Sequence, residues 1–226
     1  IVNGMMTRNN KINLGMIPSG SGNSYIRDLD LLDIQAAADA IIKGNTMDID
    51  IIETSVDNKK LYSTNIIGWG LVTDIGISAE NFRWLGTSRY TLMSIVEVLR
   101  FKSRKAKLIL DQKEYNDDFT FIMACNTIHT GKGMKIAPSA KIDDGLMDII
   151  VVKGNVSRLK LLKTLPKIFT GTHIYDPDVY SYQVKQFSLI PEHKEILNID
   201  GELLGSTPIK ATVIKHALKV FCNNIS

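Results

Sequence analysis

The spacing of apolar residues changes once along the chain. Leu31, Leu32, Ile34, Ala37, Ala38, Ile41 and Ile42 recur at intervals of three and four, the period of a helix with one buried face, and Gly44 stands where that helix would end. Just upstream, residues 14–18 form a short apolar run that leads into a Gly/Ser-rich turn, and the opening IVNGMMTR reads as the end of a helix. Strand, glycine turn and helix in succession predict an α/β layer over residues 1–46. From residue 47 onward, short β-type runs take over at 47–53, 62–67, 107–110, 119–124, 147–152, 179–189, 195–199 and 209–213, parted by Gly, Asn and Asp. That density predicts an antiparallel β-sandwich. Two helices interrupt it. One covers about 84–101; the other starts at Ser157, a suitable N-cap, ends at Gly171 and is kinked by Pro166.

Composition narrows the classes. A chain of 226 residues, 44% hydrophobic and 23% charged, has enough apolar side chains for one large core or two small ones. A net charge of +3 does not point to nucleic acid; it suits an anionic substrate or an anionic membrane surface. Cys125 and Cys222 are too few for a disulfide framework, so a reducing compartment is expected. No apolar run has the length of a membrane span, and no leader peptide is visible. His129, His173, His193 and His216 lack metal-ligand spacing and read as surface or packing residues.

Four stretches carry candidate chemistry. In Ile17-Pro-Ser-Gly-Ser-Gly-Asn23, glycines let backbone approach a ligand and backbone N–H groups can hold phosphate oxygens. In Ile142-Asp-Asp-Gly-Leu-Met-Asp148, three carboxylates around a glycine could hold a hard cation. Ile199-Asp-Gly-Glu202 is a hairpin-turn signal that also offers two carboxylates. The block 69–90, WGLVTDIGISAENFRWLGTSRY, sets Asp74, Glu80, Arg83 and Arg89 among aromatics, and arginines suit phosphate through their planar fork. Taken singly, each also reads as an ordinary turn or a surface ion pair.

Their order is more specific. LGMIPSGSGN, GKGMKIAPSAKIDDGLMDI, NIDGE and the tail PIKATVIKHALKVF resemble, in sequence order and over essentially the whole chain, the motifs of the diacylglycerol kinase catalytic superfamily. The block 69–90 and the stretch VSRLKLLKTLPKIFTGTHI resemble the sphingosine kinases within it. The resemblance implies two domains, as in NAD kinase and diacylglycerol kinase. A partial α/β ATP-binding domain would be formed by 1–46 and 209–226. A β-sandwich lipid-binding domain with inserted helices would be formed by 47–208. It implies transfer of the ATP γ-phosphoryl group, with Mg²⁺, to the primary hydroxyl of a sphingoid base. Ceramide or diacylglycerol as acceptor, the NAD kinase relatives, and a non-catalytic lipid-binding fragment are the alternatives.

Carried over residue by residue, the resemblance implies that Gly20, Ser21, Gly22, Asn23, Arg83, Arg89, Gly201 and Glu202 serve the nucleotide. Leu71, Asp74, Tyr90 and Ile95 would serve the lipid, Asp144 and Asp148 a metal, and Asp200 would lie near metal or substrate. The apolar helix after Arg89 reads from composition as a core helix, whereas the resemblance implies a lid over an acyl pocket that touches membrane. The chain departs from the sphingosine kinase pattern at Gly76, where a second head-group carboxylate is usual. The family's Gly-Gly-Asp-Gly motif, and with it the general base, is expected upstream of Ile1. A cytoplasmic protein with reversible membrane association follows, with no nucleic-acid partner and room for a homodimer.

Overall fold

The computed structural model describes residues 1–8, 12–20, 22–57, 59–131 and 133–223; the side chains of Arg83, Leu85 and Thr87 are also outside the description. In chain order the first elements are α1 (Val2–Met6), α2 (Ser24–Asp28), α3 (Ile34–Lys43), β1 (Thr46–Val56), β2 (Lys59–Ser63) and β3 (Ile66–Gly70). Next come α4 (Leu71–Asn81), a 3₁₀ turn Arg83–Ser88, α5 (Arg89–Arg100), β4 (Arg104–Leu110), β5 (Lys113–Cys125), β6 (His129–Thr130), β7 (Met134–Lys135) and β8 (Met147–Lys153). The last are α6 (Arg158–Thr164), α7 (Lys167–Thr170), a 3₁₀ turn Thr172–Tyr175, β9 (Val179–Val184), β10 (Gln186–Pro191), β11 (Ile196–Ile199), β12 (Glu202–Ser206) and β13 (Ile209–Phe221).

Among the described residues one antiparallel array runs β12-β11-β3-β5-β4-β10-β13-β1-β2, with β8 on β5 and β9 on β8. β5 is the joint of the sandwich. Its first half pairs β4, and its second half pairs both β3 and β8, with Met123 opposite Gly68 and Ile150. The facing side chains, among them Trp69, Phe119, Leu108 and Ile149, form one core. A second core, with Leu71, Val98, Phe121, Ile150 and Leu161, lies on the other side of β5 and β8 and is covered by α4, α5 and α6. A third gathers Leu31, Ala37, Ala40, Ile49, Leu218 and Val220 under α1 to α3.

β1 and β13 are long enough to serve two of these cores. Ile52 and Ala211 belong to the sandwich, Ile49 and Leu218 to the helical layer. Between them the register jumps from Ile49↔Leu218 to Ile51↔Ile214, a bulge in which His216 takes a positive φ. The wholly buried Asp50 fills the break, its carboxylate accepting from the N–H groups of His216 and Gly145. Burial dominates and raises its pKa, against the lowering effect of those two N–H groups.

The α/β layer and antiparallel sandwich expected from the pattern are present. Gly44 caps α3 in the left-handed region, and Ser157 caps α6 through the N–H of Lys160. Pro166 parts α6 from α7, where its missing N–H cannot continue the helix. Several details differ. The 14–18 run pairs only at Leu14, in a parallel bridge to Val220. Leu31 and Leu32 precede α3 because the Asp33 carboxylate accepts from Ala36 N and starts the helix there. The 179–189 run is two strands, β9 on β8 and β10 on β4 and β13. The helix expected from 84 begins at Arg89, after a 3₁₀ turn in which Gly86 has positive φ. α4 was not foreseen. It follows β3 without a loop because Gly70, at φ 83, turns the chain where a Cβ would lie 2.6 Å from the Thr120 carbonyl.

Candidate active site

The first glycine loop is closed by its own asparagine: Gly20 N donates to Asn23 Oδ1 at 3.2 Å, and Asn23, in the left-handed region, starts α2. Ser21 lies outside the described residues. α2 then fastens this loop to a second one, at β6–β7. Ser24 Oγ donates to the Gly131 carbonyl at 2.8 Å. The Asp28 carboxylate receives the backbone N–H of His129 at 3.1 Å and lies 2.6 Å from its Nδ1. The guanidinium of Arg27 lies under Gly133, which has φ 84; a Cβ there would meet it at 3.5 Å. Two glycine-bearing segments are thus tied together, with one arginine beside the second. That arrangement can hold phosphate oxygens.

Beneath them is a polar seam between the cores. Asn126 Nδ2 donates to the carbonyls of Asp50 and Thr64, both at 3.0 Å, and Thr127 Oγ1 donates to Asn65 Oδ1 at 2.6 Å. The Tyr25 hydroxyl reaches into this seam, buried and without a hydrogen-bond partner. Burial first, then the nearby carboxylates Asp200, Asp28 and Asp50, push its pKa upward, so it stays a phenol.

The carboxylates of the turn motifs have contacts of their own. Asp200 accepts from Ser63 Oγ at 2.6 Å and from the backbone N–H groups of Thr64, Asn65 and Ile66 at 2.9 to 3.0 Å. Its oxygens clamp the β2–β3 turn, close enough to the seam to act on the Tyr25 hydroxyl. Gly201, at positive φ, donates to Asn198 Oδ1, and Glu202 opens β12 on the surface. Asp144 caps its own turn through Leu146 N. Asp148 is buried with one long contact, 3.5 Å from Gln183 Nε2, and burial raises its pKa to about 6. Among the described residues no three His, Cys, Asp or Glu side chains gather to hold a metal ion, so Asp144 and Asp148 do not form a centre with a third ligand.

α4 forms the other side. Arg104 donates to both Asp74 oxygens at 2.9 Å and pairs with Glu195 at 3.0 Å. Burial still raises the pKa of both acids, with Arg104 opposing. Gly76 faces the β11–β12 hairpin; a Cβ would stand 3.4 Å from Asn198 Nδ2. Arg89, four-fifths buried, lies 3.6 Å from Glu80 and 4.9 Å over its neighbour Tyr90, and its Nε has no hydrogen-bond partner. The side chain of Arg83 is outside the description.

Leu71 lines an apolar cavity with Val98, Phe121, Val152, Leu161 and Ile168. Tyr90 and Ile95, expected beside it, are instead 45% and 42% exposed. They face outward because the buried stripe of α5 is set by Met93 and Val98. One segment connects the two regions. After Gly133 it passes Ile136, whose carbonyl lies 3.0 Å from His173 Nε2, and Pro138, packed under Gly171 at the end of α7. The pattern did not single out Tyr25, Arg27, Asp28 or Asn126, and it read His129 as a packing residue. A pair 101 residues apart has no local signature. The one available signal was a second glycine pair, Gly131 and Gly133, after an apolar strand.

Comparison with known proteins agrees with this geometry. Residues 65–222 match the family model of the YegS C-terminal NAD kinase beta sandwich-like domain, and residues 1–54 that of the diacylglycerol kinase catalytic domain. Sphingosine kinase 1 of Arabidopsis thaliana is 26% identical over 91% of this chain and 54% of its own length. The chain thus spans about half the length of the plant relatives it matches. A diacylglycerol kinase of Mycobacterium tuberculosis is 32% identical over 92% of this chain and 69% of its own. A solved Bacillus anthracis structure assigned as a diacylglycerol kinase superposes with a TM-score of 0.81 at 25% identity, covering 98% of this chain and 73% of that one.

Proposed function

This chain belongs to the diacylglycerol kinase family, with a YegS-type sandwich, and on that premise we propose that its function is that of an ATP-dependent lipid kinase, phosphorylating the primary hydroxyl of a long-chain lipid. The observation that carries the reading is the segment 133–140, which leaves the paired glycine loops and packs into the apolar core of Leu71, Val98 and Phe121. A phosphate donor on one side and a hydrocarbon chain on the other would meet along it.

Gly20, Gly22, Asn23, Gly131 and Gly133 would offer backbone to the nucleotide, and Arg27 and Arg89 would offer cations to its phosphates. ATP supplies the phosphoryl group, and Mg²⁺ is taken to arrive with it, since hard cations of this kind bind largely through substrate phosphates. The resting acid–base state of the seam suits this use, because Tyr25 remains a neutral donor beside the acceptors of Asp28 and Asp50. The chain's own work is to orient, to neutralise phosphate charge and to exclude water.

The block 69–90 and the plant relatives support a sphingoid base as acceptor. A second reading, diacylglycerol, is favoured by two contacts: Asp74 is neutralised by Arg104, and Gly76 offers no carboxylate to a lipid ammonium. A panel of sphingosine, ceramide and diacylglycerol with radiolabelled ATP and the full-length protein decides between them. Phosphorylation of at least one lipid is expected, with sphingosine ahead. A tenfold preference for diacylglycerol, about 1.4 kcal/mol, would assign the second reading, and no lipid phosphate from any of the three would overturn both.

A further inference from the structure

Among the described residues the main sheet has three edges: β2 and β12 end its main path, and β9 ends the branch that β8 adds to β5. An uncovered edge offers unpaired backbone N–H and C=O groups to any extended chain, and most edges carry a device against such pairing. β2 has two. Asn3 of α1 lies over it, donating from Nδ2 to the Tyr62 carbonyl at 3.3 Å and accepting the Tyr62 N–H at 2.9 Å, and Lys59 and Lys60 add exposed charge. β12 opens on Glu202, pairs with β11 across a register shift, and bends at Gly205, where φ is 67. β9, with the sequence Val-Tyr-Ser-Tyr-Gln-Val, has none of these devices. It holds no charge, proline or glycine, and it pairs with β8 in unbroken register over its whole length. Its Tyr180, Ser181 and Gln183 are exposed.

The same strand is complementary to itself. Tyr180 and Tyr182 stand opposite Val151 and Ile149, on the face of the core of Trp69 and Phe119, while Val179, Ser181 and Gln183 take the other face. Residues directly opposite in an antiparallel pair share a face, so a twofold axis normal to the sheet matches only positions an even number of residues apart. Val184 is buried at the turn into β10, which leaves 179–183, centred on Ser181. We propose that β9 is the pairing edge for a second copy of this chain, with Ser181 opposite its own counterpart, Tyr180 opposite Tyr182 of the partner subunit, and Val179 opposite the partner's Gln183. The tyrosine face gains two aromatic cross-strand pairs beside the Tyr115–Tyr182 contact, whose ring centroids are 5.7 Å apart. No charge on either strand opposes the pairing. A single short edge buries less than a standard interface, so the dimer is a weak one, with a dissociation constant in the micromolar range.

The test uses the full-length protein and its Ser181→Cys variant. Opposed Cα atoms in an antiparallel pair lie about 4.5–5.5 Å apart, inside the ~4.4–6.8 Å that a disulfide spans. Cys125 and Cys222 are buried and do not compete. Under mild oxidation Ser181→Cys should run as a covalent dimer on a non-reducing gel, with mass spectrometry mapping the bond to position 181 on both chains. Gln183→Cys sets its two thiols four residues apart along the strands, roughly 14 Å, and should cross-link at least about tenfold less. Sedimentation of the parent protein should show a monomer–dimer equilibrium over about 1–100 μM. Ser181→Lys, which opposes two ammonium groups, should weaken it about tenfold or more with an unchanged melting temperature. Added salt should restore part of that loss, as it would not for a misfolded variant. Equal cross-linking of the two cysteine variants, or a parent that stays monomeric throughout, overturns the proposal. So does a dimer that Ser181→Lys leaves intact, because that dimer uses another surface. Ser181→Cys changes a single side-chain atom, so its cross-link decides the matter even should the Lys variant fail to fold.

Discussion

At the scale of single residues, the same carboxylate chemistry serves opposite ends. Asp50 is buried but receives two backbone N–H groups at the β1–β13 bulge, so its removal strands both donors. Asp50→Ala should cost about 3 kcal/mol in denaturant unfolding, since an unpaired buried group costs roughly 1–3 kcal/mol; a loss below about 1 kcal/mol would show that the bulge holds without it. Asp148 has no comparable partners. Its folded-state pKa, about 6, lies above the ordinary value of 3.8. The folded state therefore binds more protons between those values, and stability falls as pH rises through that window. Asp148→Asn should raise the melting temperature at pH 7.5 and lose the gain near pH 4; destabilisation at pH 7.5 would mean that the charged form is needed, as a metal ligand would be. Arg89 is the residue where a surface ion pair and a phosphate contact predict different things. A screened pair with Glu80 is worth under about 1 kcal/mol, whereas a charge-assisted bond to phosphate is worth about 1.5–3 kcal/mol. Arg89→Ala should lower kcat/KM for ATP tenfold or more with little change in melting temperature, and Arg89→Lys should recover only part. Near-parental turnover of Arg89→Ala would leave the contacts with Glu80 and Tyr90 as its whole role.

At the scale of elements, the β3–α4 junction makes the sharpest demand on the chain. Gly70 and Gly44 both have positive φ, near 80°, but a Cβ at Gly44 meets nothing within 4 Å, while at Gly70 it would collide with the Thr120 carbonyl. Gly44→Ala should cost about 1 kcal/mol from backbone strain alone, and Gly70→Ala clearly more, about 3 kcal/mol, because β5 would have to move; equal losses in urea unfolding would refute the steric argument. This junction also explains what the apolar pattern could and could not reveal. Helix α3 was legible because its buried face repeats at helical spacing and ends at Gly44. α4 was not, because Gly70 removes the loop that would have marked a boundary, and Gly76 interrupts its apolar face. β13 outran its predicted end at 213 because the bulge at His216 shifts the alternation partway along it. In the site, the first glycine loop could be read from local chemistry. Its partners Gly131 and His129 could not be assigned to it, since only the folding of β5 against β3 and β8 brings them to α2.

At the scale of the whole molecule, several exposed apolar residues lie on α5 and the neighbouring α6. No helix among the described residues is long and apolar enough to cross a membrane. Leu92 and Leu99, 46% and 54% exposed, lie seven residues apart on one face of α5, and Leu159 of α6 is 64% exposed. The two helices are adjacent at this end: the Arg158 guanidinium lies 5.6 Å over the Phe101 ring and donates to its carbonyl. Arg100, Lys102, Arg158 and Lys163 bring cations to the same region. An apolar face rimmed by cations is the pattern of a helix that lies in a lipid–water interface, and each cation adds about 1 kcal/mol beside anionic lipid. Leu92→Ser with Leu99→Ser should weaken sedimentation with phosphatidylserine vesicles tenfold or more, if each leucine contributes even about half of its full burial energy of 1.5–3 kcal/mol. Arg100→Ala with Lys102→Ala should weaken it on anionic vesicles only, and added salt should erase that difference. Neither pair should lower the melting temperature, because these side chains are not what the cores pack against. Turnover of a dispersed short-chain lipid should also persist, which separates loss of docking from loss of catalysis. If both double variants still sediment like the parent protein on anionic vesicles, this face does not dock on a lipid surface.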